Sequence, residues 1–338
     1  MSKNPKRNMS VDLLRVILMF MIIVHHILLR GCGLRNLYKN SFDNNNLLFS
    51  FLNVFLVVAV NCFFLISGYY GIKKNLKKAI KLTLAVYVIY WIINIAGLIF
   101  GNEILNTEFI KGIIFPISQY WYIFVYLVLS FIGPYLNILL DQITVYQERE
   151  LLGILLIIWC GYSFLSDNNI FGANNGYSLG FAIILYIIGN YIGKTKWDMI
   201  LPGKSLFIYL ISSTINGVLV VGLIYLGRTS LAWQMYSYNN PLVLIGAVSL
   251  FLFFKSIKVE CILNISKFGR YVIYVYIFHS TALISDIYSR CFFIVSREQL
   301  IYKIIFIPLF SILLFAIGIV VGIIYEKMYN LFLNRCKQ

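Results

Sequence analysis

Charge is scarce in this sequence: 12% of its 338 residues are Asp, Glu, Lys or Arg, where a soluble domain uses about 25% to wet its surface. That shortfall excludes an ordinary globular protein, and no long polar stretch is present to form even one of the two soluble domains the length would permit. Histidine is scarcer still, at three residues. The six cysteines lie far apart, with no Cys-x-x-Cys pair and no Cys/His spacing that would hold zinc or haem, so no metal centre is expected. Cys62 and Cys160 fall inside apolar runs, where a cysteine is a small hydrophobe. Cys32 and Cys291 remain as a pair that a disulfide on the outer face can join. Also missing are the alternating stretches of about ten residues that mark a membrane barrel.

What is present is hydrophobic. Apolar residues make up 60% of the chain, the mean hydropathy is +0.83, and the apolar segments are continuous over roughly 17–25 residues, the length of a spanning helix. Backbone groups in lipid must be satisfied internally, which such segments do only as helices. We therefore expect an all-α, polytopic transmembrane helix bundle, multi-pass in the cell membrane, with residues 1–338 forming a single membrane-embedded domain. About ten spans are expected, near 11–30, 47–70, 79–100, 119–140, 150–166, 177–193, 206–226, 241–257, 271–290 and 301–333. The last is too long for a straight span and should kink near Pro308 or run past the bilayer. Lys3, Lys6 and Arg7 before an apolar run resemble a signal peptide. Arg15, His25 and His26 interrupt that run and no small-residue cleavage site follows, so it reads as a retained first helix.

The net charge of +15 would suggest nucleic acid in a soluble protein. Here the basic residues cluster between apolar segments, as at Lys73-Lys74 and Lys77-Lys78, which is the pattern of loops on an anionic membrane leaflet, and no nucleic-acid partner is expected. With the N-terminus inside, 19 of the 28 Lys and Arg fall on the cytoplasmic side, 8 on the outer side and Arg15 within the first span. The bias predicts that both termini are cytoplasmic. The outer loops differ: residues 167–178 read DNNIFGANNGYS, and residues 228–240 carry Trp233, Tyr236 and Tyr238. Amides and aromatics there suit either a carbohydrate ligand or a polar turn with an interfacial aromatic belt.

Ionisable groups inside a span cost several kcal/mol and are functional candidates by default. The first span holds Asp12, Arg15, His25 and His26. On a regular helix Arg15 and His26 are three turns plus roughly 20° apart, and Asp12 and His26 about 40° short of four turns. Asp12, Arg15 and His26 thus share a face, with Asp12 and Arg15 at pairing distance. His25 lies about 100° away from His26, and His26 stands about 16 Å along the axis from Arg15. For Asp12 and Arg15 an interfacial ion pair is the plainer alternative, and for His26 a satisfied core histidine. At the end of the second span, Ser67-Gly68 leads into the basic stretch Lys73–Lys81, where Gly68 lets a backbone or ligand approach closely. Those lysines can hold a nucleotide's phosphates or be ordinary membrane-flanking cations. His279 has Asp286 seven residues on and nearly on the same face. It fits a packing or a functional role.

Taken together these segments resemble the acyltransferase 3 family of membrane acyltransferases. The resemblance rests on Asp12, Arg15 and His26 in an Asp-x-x-Arg helix with a histidine after ten further residues. It also rests on Phe63, Phe64, Ser67 and Gly68, on Trp121-Tyr122-Ile123 running to Pro134, and on Tyr276 and His279. It covers nearly the whole chain, without the fused extracytoplasmic hydrolase-like domain of some members. It implies an O-acyltransferase moving an acyl group, acetyl by default, from cytoplasmic acyl-CoA (acetyl-CoA) to a hydroxyl of a cell-surface polysaccharide or its lipid-linked precursor. A base must deprotonate the hydroxyl and the thioester's oxyanion must be stabilised. The resemblance assigns His26 as base and Arg15, with Asp12, to donor binding or acyl positioning. It makes Ser67, Gly68, Trp121, Tyr122 and His279 substrate contacts, and Lys73 and Lys74 donor contacts. Membrane lipid is the remaining partner. A transporter or flippase for lipid-linked sugars is the rival reading. It would favour inverted repeats, of which the sequence has none convincing.

Overall fold

A computed structural model describes residues 8–34, 44–101, 105–166, 172–195, 197, 201–259, 265–295 and 300–335. Among these residues all regular structure is helical. In chain order the helices are α1 (Met9–His26), α2 (Asn44–Leu56), α3 (Val58–Tyr70), α4 (Leu76–Ile99), α5 (Thr107–Ile114), α6 (Trp121–Gln142), α7 (Val145–Leu156) and α8 (Ser163–Leu165). There follow α9 (Leu179–Lys194), α10 (Pro202–Tyr225), α11 (Thr229–Gln234), α12 (Pro241–Ser256), α13 (Ile265–Gly269), α14 (Val272–Ser280), α15 (Ala282–Val295) and α16 (Leu300–Arg335).

Among the described residues six helical stretches are long and apolar enough to cross a membrane: Met9–Gly31, Leu47–Tyr70, Leu76–Ile99, Trp121–Gln142, Pro202–Tyr225 and Leu300–Arg335. The other expected spans take different forms. Segments 177–193 and 241–257 become α9 and α12, of 16 residues each, or roughly 24 Å against a hydrocarbon core of ~30 Å. Segment 150–166 is α7 continued through the π turn Ile157–Tyr162 into α8. Segment 271–290 is divided at Thr281, whose ψ of 135° ends α14 before α15 begins. The last segment, α16, carries Pro308 inside a continuous 36-residue helix.

Local chemistry explains where these helices start. The side chains of Asn8, Asn75 and Ser178 accept hydrogen bonds from the first-turn amides of α1, α4 and α9, satisfying donors that would otherwise be orphaned. Thr144 and Gln147 close a reciprocal capping box on α7. Pro202 and Pro241 open α10 and α12 where their missing N–H costs nothing.

Burial sorts the spans into inner and outer sets. The most apolar windows of the first two spans are 56% and 72% buried, and those of the other four 28–33%. The outer helices are apolar all round, as the lipid side of a bundle requires, with Ile92, Phe131, Val218 and Leu309 facing outward. At the centre α1 packs against α2, α3, α12, α13, α14 and α16. In lipid, helix contact depends on close packing rather than on water exclusion, so small residues mark the tight crossings. A Cβ on Gly68 would overlap the Tyr186 carbonyl of α9, and one on Gly189 would overlap the Leu65 carbonyl of α3. Gly318 and Gly322 of α16 meet Val275 and Tyr274 of α14 in the same way. The glycine at position 68 therefore serves the α3–α9 contact, and the close approach it allows is to backbone.

Candidate active site

The α1 face read from the sequence forms one wall of a cavity of about 470 Å³, within the roughly 300–1,000 Å³ of small-molecule sites. Arg15, Met19, Ile22, His25 and His26 line it from end to end. At one end, Asp12 is wholly buried and accepts a hydrogen bond from Arg15 Nη1 at 2.7 Å. Gly269 closes over Asp12, and the Arg15 guanidinium lies 5.8 Å from the centre of the Tyr70 ring. Burial of the carboxylate is thus offset by a charged hydrogen bond, and Arg15 is held in place while its side chain, 31% exposed, faces the cavity.

Around Arg15 the mouth is strongly charged. Lys78 and Lys81 from the first turns of α4, Arg270 from the link before α14, and Glu326 from α16 all line it. Lys81 Nζ donates to Glu326 Oε1 at 3.0 Å, Tyr274 Oη donates to the same oxygen at 3.2 Å, and Arg270 lies 3.8 Å from Oε2. A hydrogen bond to the Tyr271 hydroxyl, reinforced by Glu326, raises the pKa of Arg270 further above its ordinary value. Lys73 and Lys74 occupy the exposed turn ahead of α4 and are not part of the cavity wall. The side chains that reach it are Lys78 and Lys81, because the Asn75 cap starts the helix between the two lysine pairs.

About three helical turns deeper the two histidines diverge. His25 turns toward α2, where its Nδ1 meets Asn53 Oδ1 at 2.6 Å. His26 turns toward α14, where its Nδ1 lies 3.2 Å from His279 Nε2. His279 is fully buried, and its Nδ1 bonds the Val275 carbonyl at 2.7 Å. Asp286, expected on the same face as His279, is instead exposed on α15. The break at Thr281 invalidates the straight-helix geometry behind that expectation. The π turn Ile27–Gly31 follows directly after His26, as such turns do at functional positions.

Aromatic rings complete the walls. Tyr122 packs edge-on to Tyr276 at 5.5 Å and stacks on Tyr126 at 6.1 Å, and Tyr276 in turn meets the His279 ring edge-on at 5.8 Å. Trp121 stacks on Tyr238 at 5.7 Å, with Tyr177 4.8 Å away. Ser67 lines the cavity while its hydroxyl donates to the Phe63 carbonyl at 2.9 Å. Of the three aromatics of residues 228–240, Trp233 is half-buried and Tyr236 and Tyr238 are turned inward rather than displayed for a ligand outside. Tyr236 and Tyr238 are buried, and the Tyr236 hydroxyl donates to the Ser50 carbonyl at 2.8 Å. In the amide-rich loop, residues 167–171 lie outside the described residues. Asn174 and Asn175 take left-handed backbone, and the Asn175 carbonyl accepts the Tyr238 amide at 2.9 Å, so these amides build a turn. Cys32 and Cys291, the pair left open for a disulfide, are free thiols, the first buried and the second exposed. Among the described residues no group of three or more His, Cys, Asp or Glu side chains is placed to hold a metal ion.

The cavity thus joins a cationic mouth to a paired histidine through an aromatic wall. The family model for the acyltransferase domain, Acyl_transf_3, matches residues 8–328. The chain belongs to the acyltransferase 3 family. No curated protein and no solved structure matches it. It is an acyltransferase and, with its six apolar helices, an integral membrane protein, and the transporter reading gives way to an enzyme. Each of the four acyltransferase 3 motifs recognised in the sequence places a side chain on the cavity wall: Arg15 and His26, Phe63 and Ser67, Trp121 and Tyr122, and Tyr276. Glu326, Arg270, Tyr126 and Tyr274 had no place in the sequence reading of the site. Glu326 could have been found, since it is the sole acidic residue in the last apolar segment.

Proposed function

We propose that this acyltransferase moves an acetyl group from cytoplasmic acetyl-CoA to a hydroxyl of a cell-surface polysaccharide or its lipid-linked precursor, in the cell membrane. The observation that carries this reading is the single cavity with Arg15 and the cations of the mouth at one end and His26 deep within it. A donor with a highly anionic head and a long, thin acyl-bearing arm suits that shape and charge. Lys78, Lys81 and Arg270 contact the nucleotide phosphates, Lys73 and Lys74 add to the positive field outside, and Arg15 draws the arm inward toward His26. His26 Nε2 takes the acceptor hydroxyl's proton as its oxygen attacks the thioester carbonyl, the C–S bond breaks, and the proton passes to the departing CoA thiolate. Trp121 and Tyr122 receive the acceptor sugar by ring stacking, with Ser67 on the adjoining wall. On this reading about ten segments cross the bilayer, the short α9 and α12 among them, both termini are cytoplasmic, and the mouth opens to the cytoplasm.

Mass spectrometry of surface glycans from cells with and without the gene tests the proposal. Loss of 42-dalton acetyl increments from a surface glycan on deletion is expected, with recovery when the gene is restored. Identical glycans in both strains would overturn it.

A further inference from the structure

His279 is fully buried and makes its contact with Val275 through a carbonyl, which has no proton to give. Its Nδ1 must therefore carry the hydrogen of that 2.7 Å bond. A second proton would place an imidazolium in a fully buried site, at a high desolvation cost. The ring is thus neutral, with its lone pair on Nε2, and that lone pair lies 3.2 Å from His26 Nδ1. Two lone pairs cannot face each other at this distance without repulsion, so His26 Nδ1 is the donor. The Ser280 hydroxyl reaches the same His279 nitrogen at 3.4 Å, a second and longer approach.

We infer that His279 is a positioning residue that fixes the tautomer of His26, holding its proton on Nδ1 and leaving the basic lone pair on Nε2. This rests on the reading of His26 as the base in the proposed reaction. The chain of acceptors runs His26 Nδ1–H to His279 Nε2, then His279 Nδ1–H to Val275 O, and ends in helix backbone that cannot shift independently. When His26 accepts the hydroxyl proton at Nε2 it becomes an imidazolium, and its Nδ1–H bond to His279 becomes charge-assisted and stronger. The arrangement parallels the orienting acid of a serine-protease triad, with a neutral imidazole in place of the carboxylate. Helix α14 is terminated by Thr281 just beyond this pair. Thr281 Oγ1 is bonded to the Ile277 carbonyl and to Tyr120 Oη, at 2.9 and 2.8 Å, which ties the end of α14, just past His279, to the residue that opens α6.

The test combines spectroscopy with kinetics on the full-length protein in nanodiscs. Histidine ¹⁵N NMR, assigned with His26→Ala and His279→Leu, should show His26 as a neutral ring protonated on Nδ1 and should lose that pattern in His279→Leu. Kinetically, His279→Leu should lower kcat about tenfold or more with little change in the KM for donor, since a base in the wrong tautomer binds as before but cannot act. His279→Gln, whose amide oxygen can accept the same proton, should recover most of the rate. A His26 ring protonated on Nε2, or equal loss in the Leu and Gln variants, would overturn the inference. Full activity in His26→Ala would instead remove the base reading, which the NMR arm examines independently of turnover.

Discussion

Lys81 on α4 and Glu326 on α16, 245 residues apart in sequence, meet at 3.0 Å across the mouth of the cavity. The same carboxylate collects the Tyr274 hydroxyl and faces Arg270, so one acid holds together the helices that frame the opening. The pairing also occupies the two cations best placed to meet an anionic donor.

The cations should therefore act on donor affinity rather than on chemistry. Lys81→Ala and Arg270→Ala are expected to raise the KM for acetyl-CoA roughly threefold to tenfold each, the size of a partly screened charge contact, and to leave kcat near wild type. An acetyl-pantetheine donor, which lacks the nucleotide, should show no such difference. Steady-state kinetics with both donors decides. Equal KM effects on the two donors would place the phosphates elsewhere.

Arg15 is expected to behave differently because it lies further in and is fixed by Asp12. Arg15→Ala should abolish transfer with normal membrane insertion, and Arg15→Lys should keep a fraction of it, since an ammonium supplies charge without the planar fork. Asp12→Asn should fall between wild type and Arg15→Ala, as Arg15 keeps a neutral partner but loses the charged one. The measurement is acetylated glycan per unit of inserted protein. An active Arg15→Ala would reduce this pair to an interfacial anchor.

Gly68 yields the opposite signature. A Cβ there would collide with the Tyr186 carbonyl, so Gly68→Ala should destabilise the α3–α9 contact by about 1–3 kcal/mol or more, seen as a lower melting temperature and less folded protein in detergent. Activity per folded molecule should stay close to wild type. A stable but inactive variant would return Gly68 to the substrate site.

Orientation is open to a direct test. With all six native cysteines replaced by serine, single cysteines at Lys74 and Asn174 should label from opposite sides of intact cells, Asn174 from outside. Labelling of both from outside would contradict the charge bias.

The α1 part of the site was legible because helical periodicity alone puts Asp12, Arg15 and His26 on one face, and local geometry is all that this face requires. The partner of His26 was not legible. Seven residues from His279 to Asp286 give a shared face only if the helix is continuous, and Thr281 breaks it. Likewise the lysines were legible as a cluster, but which of them reach the cavity depends on where Asn75 starts α4. The Glu326 pairings depend on α16 returning beside α4 and α14, a long-range fact with no local signature. The six long spans announced themselves by length. Interior helices such as α9, shielded by protein on several sides, can be shorter than the bilayer and still be apolar, so length alone misjudges them.

His25 and His26 are adjacent and chemically identical, and they separate the structural from the chemical reading of α1. His25 is buried and tied by Nδ1 to Asn53 of α2 at 2.6 Å, a bond that joins two helices. His26 is joined by Nδ1 to His279 and sits on the face that continues to Arg15. His26→Ala should therefore lose transfer by roughly 10²–10⁴-fold, the contribution of a general base, with the smaller loss of thermal stability, because the Ser280 hydroxyl still reaches His279 Nε2. His25→Ala leaves Asn53 without its ring partner in a buried site, which costs about 1–3 kcal/mol of stability, and should retain most of its activity per folded molecule. The decisive experiment measures both quantities for both variants, acetyl transfer normalised to folded protein and melting temperature. The expected result is a crossed pattern: an inactive, more stable His26 variant beside an active, less stable His25 variant. An inactive His25 variant with a working His26 variant would mean that the base is His25, reached from the cavity wall that both histidines line.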